Sequence, residues 1–140
     1  MRLELDTKTT DASAPDGTDV VTARLAAIDR ATSLWRDVGV GDASRDAPTS
    51  DAVTIEFVTG GPVSFGLYDG ADRRIYVNRT LTADEDAITI AHELGHAFGL
   101  VHVPPATRAS VMNAGNLTIA PNLGDRDAID ALWGACAAAP

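Results

Sequence analysis

The sequence predicts a single α+β domain, and three observations carry that prediction. Apolar residues recur at helical spacing near the N-terminus, and alternating runs fill the middle of the chain. A second capped helical pattern then gives way to an irregular, proline-bearing stretch ending in a third helix. At 140 residues the chain can bury a sizeable core as one unit.

Leu3-Glu4-Leu5 forms a first, short strand pattern, and residues 6–17, rich in Thr, Asp, Ser and Pro, favour a loop. Val21, Leu25, Ile28, Ala31 and Trp35 then recur at steps of three and four. This spacing predicts an amphipathic helix from Asp19, capped by Thr18 or Asp19, stopped near Gly39 and anchored in the core by Trp35. After a loop over residues 39–51, Val53, Ile55 and Phe57 alternate with Thr54, Glu56 and Val58 in a strand that ends at Gly60-Gly61. Further strands are predicted over residues 63–68 and 74–78, joined by a turn at 69–72. Two aspartates in that turn could serve a calcium ion, although turn chemistry alone accounts for them.

Thr82 and Glu85 have the spacing of a capping box, and Asp84 and Asp86 suit the positive end of a helix. Ala87, Ile90, Ala91, Leu94 and Phe98 mark its apolar face, and Gly99 supplies the stop. The segment 101–124 carries Pro104, Pro105 and Pro121 and shows no periodicity. A last helix is predicted from near Asp125, with Ala128, Ile129, Leu132 and Trp133 inward.

Composition narrows the function classes. Hydrophobic and charged fractions of 45% and 22% are those of a globular chain, which excludes wholesale disorder. No apolar run reaches the length of a membrane helix. A net charge of −9, spread along the chain, argues against nucleic acid or anionic membrane as a partner. The opening MRLELDTKTTD lacks the apolar stretch of a secretory leader. The residues therefore leave open whether the protein works inside the cell or lost a leader and prosegment. Cys136, the single cysteine, excludes an internal disulfide framework and reads as a small apolar residue in the ending GACAAAP. An inhibitory zinc thiolate is the functional alternative, and no switch-like motif stands beside it.

The chemistry concentrates in His92-Glu-Leu-Gly-His96-Ala-Phe-Gly99-Leu-Val-His102. Residues four apart share one helix face, so His92 and His96 can present two imidazoles to one metal ion. Gly99 lets the chain break and return, bringing His102 to the same ion. Three protein ligands leave the fourth position of a zinc site open for water, the mark of a catalytic rather than a structural site. Glu93, about 100° around the helix from His92, can reach that water as general base. At this chain's own residue frequencies the full pattern arises by chance on the order of once in 10⁵ to 10⁶. All three histidines of the chain lie within it. Any one of them alone reads as an ordinary core or surface histidine; the set reads as a metal site.

His92-Glu93-x-x-His96-x-x-Gly99-x-x-His102, followed by Met112, resembles the metzincin signature with its methionine turn. The resemblance implies a zincin-like fold. That fold has a mixed twisted sheet of four to five strands, a long helix and a zinc-binding helix, then an irregular C-terminal part ending in a helix. It also implies one catalytic domain over residues 1–140, with parts at about 1–99 and 100–140, and Met112 as an apolar base beneath the metal ligands. Within metzincins the chain looks most like a minimal matrixin. HELGHAFGLVH, the short run from His102 to Met112 and the ending DAIDALWG carry that likeness.

The implied activity is that of a zinc-dependent metalloendopeptidase, with a zinc-binding but inactive interaction module as the alternative. Val103 replaces the usual Ser after the third histidine, and Asn113-Ala114 replaces Tyr-Pro after the methionine. The His- and Asp-rich loop of the structural zinc and calcium is missing, so one zinc per chain is expected. By the same resemblance a peptide or protein substrate lies along the strand at 63–68, nearest Gly66 and Leu67. Residues 113–122, Asn113 and Ala114 among them, wall the pocket for the side chain after the cut bond. The resemblance further implies a secreted protein, taken to act as a monomer.

Overall fold

The computed structural model describes residues 1–5, 20–41, 52–59 and 65–134. Its elements are β1 (Arg2–Leu5), α1 (Val20–Asp37), β2 (Ala52–Val58), β3 (Gly66–Asp69), β4 (Arg74–Asn78), α2 (Ala83–Ala97) and α3 (Leu123–Trp133). Among the described residues the sheet has four strands in the order β1-β2-β4-β3. β1 and β4 flank β2 in parallel, and β3 returns antiparallel to β4 along one edge. The α+β layout is the expected one. The caps expected at Thr18 or Asp19, the glycines at 60–61, residues 63–64 of the predicted strand, and Cys136 lie outside the described residues.

Alternation on β2 and β4 turns Val53, Ile55, Phe57, Ile75 and Val77 to one buried face. Against it pack Ala27, Ile28, Ala31 and Trp35 of α1 and Ile90, Ala91 and Leu94 of α2. Trp35 is the anchor its spacing suggests. Its indole N–H donates to Ala91 O at 2.9 Å and its ring meets Phe98 edge-on at 5.3 Å, tying α1 to α2. α1 also buries Arg24, whose guanidinium stacks 4.7 Å above the Phe57 ring.

α2 begins with the expected capping box between Thr82 and Glu85. The prediction of one apolar face falls short, because every residue from Ala87 to Gly95 is buried. The helix is enclosed by α1, by β3 and β4, and by the loop carrying Met112. Phe98 caps its C-terminus and Gly99, at φ 99°, takes the left-handed turn that stops it.

The last helix corrects the reading in two ways. It starts at Leu123 because Asn122 caps it, accepting from the N–H groups of Gly124 and Asp125. Asp125 is thus an inward capping residue rather than the helix start. Ala128 and Ile129 pack on the core, but Leu132 and Trp133 stay 55% and 73% exposed. The helix's final turn extends past the core, and Trp133 donates its indole N–H to Phe98 O at 2.7 Å from outside.

Candidate active site

α2 presents His92 and His96 one turn apart on the same face. Beyond Gly99 the chain folds back, with Leu100 N–H donating to Gly95 O at 2.9 Å, and delivers His102. His102 Nε2 lies 3.2 Å from Nε2 of both His92 and His96. The structure therefore brings all three sequence-predicted ligands together, with their ligand atoms within 4.8 Å of one another.

The outer ring nitrogens define what the inner ones can do. His92 Nδ1 lies 2.6 Å from Val111 O, and His96 Nδ1 lies 2.9 Å from Leu100 O. A carbonyl only accepts, so both Nδ1 atoms carry the proton and both Nε2 atoms offer lone pairs to the cluster. One N–H on His102 could satisfy only one of those lone pairs; a cation among the three nitrogens satisfies them all. Tetrahedral zinc with bonds of 2.0–2.1 Å sets its ligand nitrogens roughly 3.3–3.4 Å apart. The 3.2 Å separations fit that tetrahedron's edges, so the residues present suit zinc.

Electrostatics agree. Burial pushes His92 down to about 4, with the charges of His96 and His102 adding to it and the Val111 carbonyl pulling the other way. His96 is lowered as well, first by burial. Neutral imidazoles are the form that binds metal.

Glu93 sits beside them and is itself buried. Burial raises its carboxyl to about 7, partly offset by the Tyr68 backbone N–H that donates to it. β3 reaches this close because Gly66 has no side chain: a Cβ there would meet Thr89 Cγ2 and stand 3.0 Å from Glu93 Oε1. Met112 is fully buried beneath the ligand helix. A Cβ at Gly95 would collide with its sulfur, so the methionine fills the space this glycine leaves between the two histidine turns.

A family model described as Metallo-peptidase family M12B Reprolysin-like matches residues 4–122, from within β1 to the cap of α3. The chain belongs to the reprolysin-like metallopeptidases. No curated protein matches it significantly.

The metallopeptidase's histidines and Glu93 line an open cavity of about 710 Å³. Gly66 and Leu67, expected at the cleft, form part of its wall with Phe65 and Tyr68. Asn113 and Ala114, expected on the opposite wall, are not among its lining residues; Gly115 and Asn116 are. The reason is local. Asn113 is buried with its amide donating to Val103 O at 2.8 Å and Arg108 O at 3.1 Å, while its Oδ1 accepts from Ser110 N–H at 3.0 Å. It braces the loop from inside. Ala114 is exposed away from the cavity, and Gly115, at φ 72°, turns the chain so that Asn116 faces inward. The sequence places Asn116 within the 113–122 wall and Tyr68 within the 63–68 strand without singling out either. The Asn113-x-Gly115-Asn116 turn chemistry was a usable signal for the first, whereas Tyr68 acts through a backbone N–H that any residue supplies.

Proposed function

We propose that this metallopeptidase is a zinc-dependent endopeptidase in which His92, His96 and His102 hold one zinc ion and Glu93 is the general base. Bound there, zinc would polarise the scissile carbonyl and acidify water. The observation that carries the reading is the convergence of three lone-pair nitrogens beside a buried carboxylate in one open cavity. Glu93 takes the proton from the attacking water and returns it to the leaving amine. Its raised carboxyl can both accept and release a proton near neutrality, and the Tyr68 N–H holds its orientation.

β3 supplies the means of holding an extended peptide. Asn78 N–H donates to Phe65 O at 2.8 Å, so residues 65, 67 and 69 exchange bonds with β4. The N–H and C=O of Gly66 and the C=O of Tyr68 then point to the sheet's free edge, beside the histidines, while the Tyr68 N–H stays with Glu93. A substrate strand pairing there places its carbonyls over the cluster. We further read the cleft as matrixin-like, supported by the segment HELGHAFGLVH and by the nine residues separating His102 from Met112. Gly115 and Asn116 would wall the pocket for the side chain after the cut bond.

Zinc-loaded wild type and Glu93→Ala, incubated with an unstructured protein such as casein, test the proposal. Internal cleavage by wild type, lost in Glu93→Ala with zinc content unchanged, is the expected result. Zinc bound by both with cleavage by neither identifies an interaction module instead.

A further inference from the structure

We infer that Asp125 is a positioning residue for His92, acting across the fold through Ser110 and the Val111–Met112 peptide. The inference rests on the reading of the histidine cluster as a zinc site. Asp125 is fully buried on α3, thirty-three positions from His92 in the chain. Four donors surround its carboxylate. Ser110 Oγ–H and Arg108 Nη1, the latter at 2.8 Å, donate to Oδ1. Val111 N–H at 3.1 Å and Asn122 N–H at 3.0 Å donate to Oδ2.

Capping α3 requires only the bond to Asn122. The other contacts lead toward the metal ligands. Ser110 Oγ, its proton committed to Asp125, accepts from Met112 N–H at 2.9 Å. That N–H belongs to the same peptide unit as Val111 C=O, the acceptor of His92 Nδ1–H at 2.6 Å. Each donor in the series points the same way, from imidazole to carbonyl, amide to hydroxyl and hydroxyl to carboxylate. A terminal negative charge polarises such a chain and strengthens each acceptor along it. The result at His92 is a fixed Nδ1–H tautomer, a fixed ring plane and a more basic Nε2.

His96 provides an internal contrast. Its Nδ1 bonds Leu100 O, within the turn that ends its own helix, and no carboxylate stands behind that carbonyl among the described hydrogen bonds. A loss of Asp125 that merely loosened the fold would disturb both histidines. A broken relay disturbs His92 alone.

The test compares the full-length wild type with Asp125→Asn and Ser110→Ala, zinc-free and zinc-loaded. It reads imidazole ¹⁵N shifts by NMR and zinc affinity by chelator competition. In both variants the zinc-free His92 shifts should move toward a mixture of tautomers while those of His96 hold. Zinc affinity should fall roughly 10–100-fold. Unmoved His92 shifts in the folded variants, or equal movement of His92 and His96, would overturn the inference. If Asp125→Asn does not fold, Ser110→Ala, which leaves the bond to Asn122 in place, decides alone. If wild type binds no zinc, the functional proposal falls, and the zinc-free imidazole shifts still decide whether the relay exists.

Discussion

The two halves of this metallopeptidase solve the same problem with different means. In the described strands and helices from β1 to α2 the backbone is satisfied mainly by ladders and helix bonds, and most side chains are left to pack. Between Leu100 and Asn122 there is no helix or strand, and the backbone is held by the side chains of Ser110, Asn113, Asn116, Asn122 and Asp125. Both halves end at one place: α2 brings His92, His96 and Glu93, and the irregular segment brings His102 and the carbonyl that orients His92. A regular scaffold can be read from periodicity. A side-chain-braced loop makes each polar residue individually necessary.

That contrast can be broken at either end. Trp35→Ala removes the largest anchor of the regular half and its bond to Ala91, at a cost of about 3–5 kcal/mol. Chemical denaturation should show the loss as a global one, with the unfolding transition still cooperative. Asn113→Ala leaves the buried Ser110 N–H without its acceptor and frees the Val103 and Arg108 carbonyls, at roughly 2–3 kcal/mol. Hydrogen exchange should quicken mainly in residues 100–122, and zinc affinity should drop because Val103 adjoins His102. Exchange rising equally in α1 would show that the two halves are not distinct.

Smaller effects sharpen the comparison. Thr82→Ala takes away the cap of α2 and should cost about 1 kcal/mol with zinc affinity unchanged, because the histidines lie on the far turns. A further effect depends on pH. Burial pushes the Asp86 carboxyl up to about 7, Arg24 opposing it and Glu85 adding to it. The folded state then binds more protons than the unfolded between roughly pH 4 and pH 7. The associated stability is complete below that window and is lost as pH rises through about 7. Asp86→Asn should melt with wild type at pH 4 and above it at pH 8. A gap that shrinks with rising pH would contradict this sign.

Legibility followed the same division. Period-two alternation located β2 and β4, period-three-and-four recurrence located α1 and α2, and ligand spacing brought out the three histidines and Glu93. Periodicity names a face but not what covers it. Leu132 and Trp133 continue the stripe of α3 correctly, yet the core ends beneath Ala128 and Ile129. In the irregular segment there is no period to read, so the expected cleft wall stays a ten-residue span, 113–122, with Asn113 and Ala114 singled out; within that span it is Gly115 and Asn116 that line the cavity. Asp125 was visible only as a helix residue. The spacing from Asn122 to Asp125 is that of a capping box and would have turned its carboxylate inward.

Zinc-edge X-ray absorption on the metal-loaded protein tests the central claim most directly. The expected result is one zinc per chain with three nitrogen scatterers at roughly 2.0–2.1 Å and no sulfur near 2.3 Å. A sulfur shell, two tightly bound ions, or failure to retain zinc would contradict it.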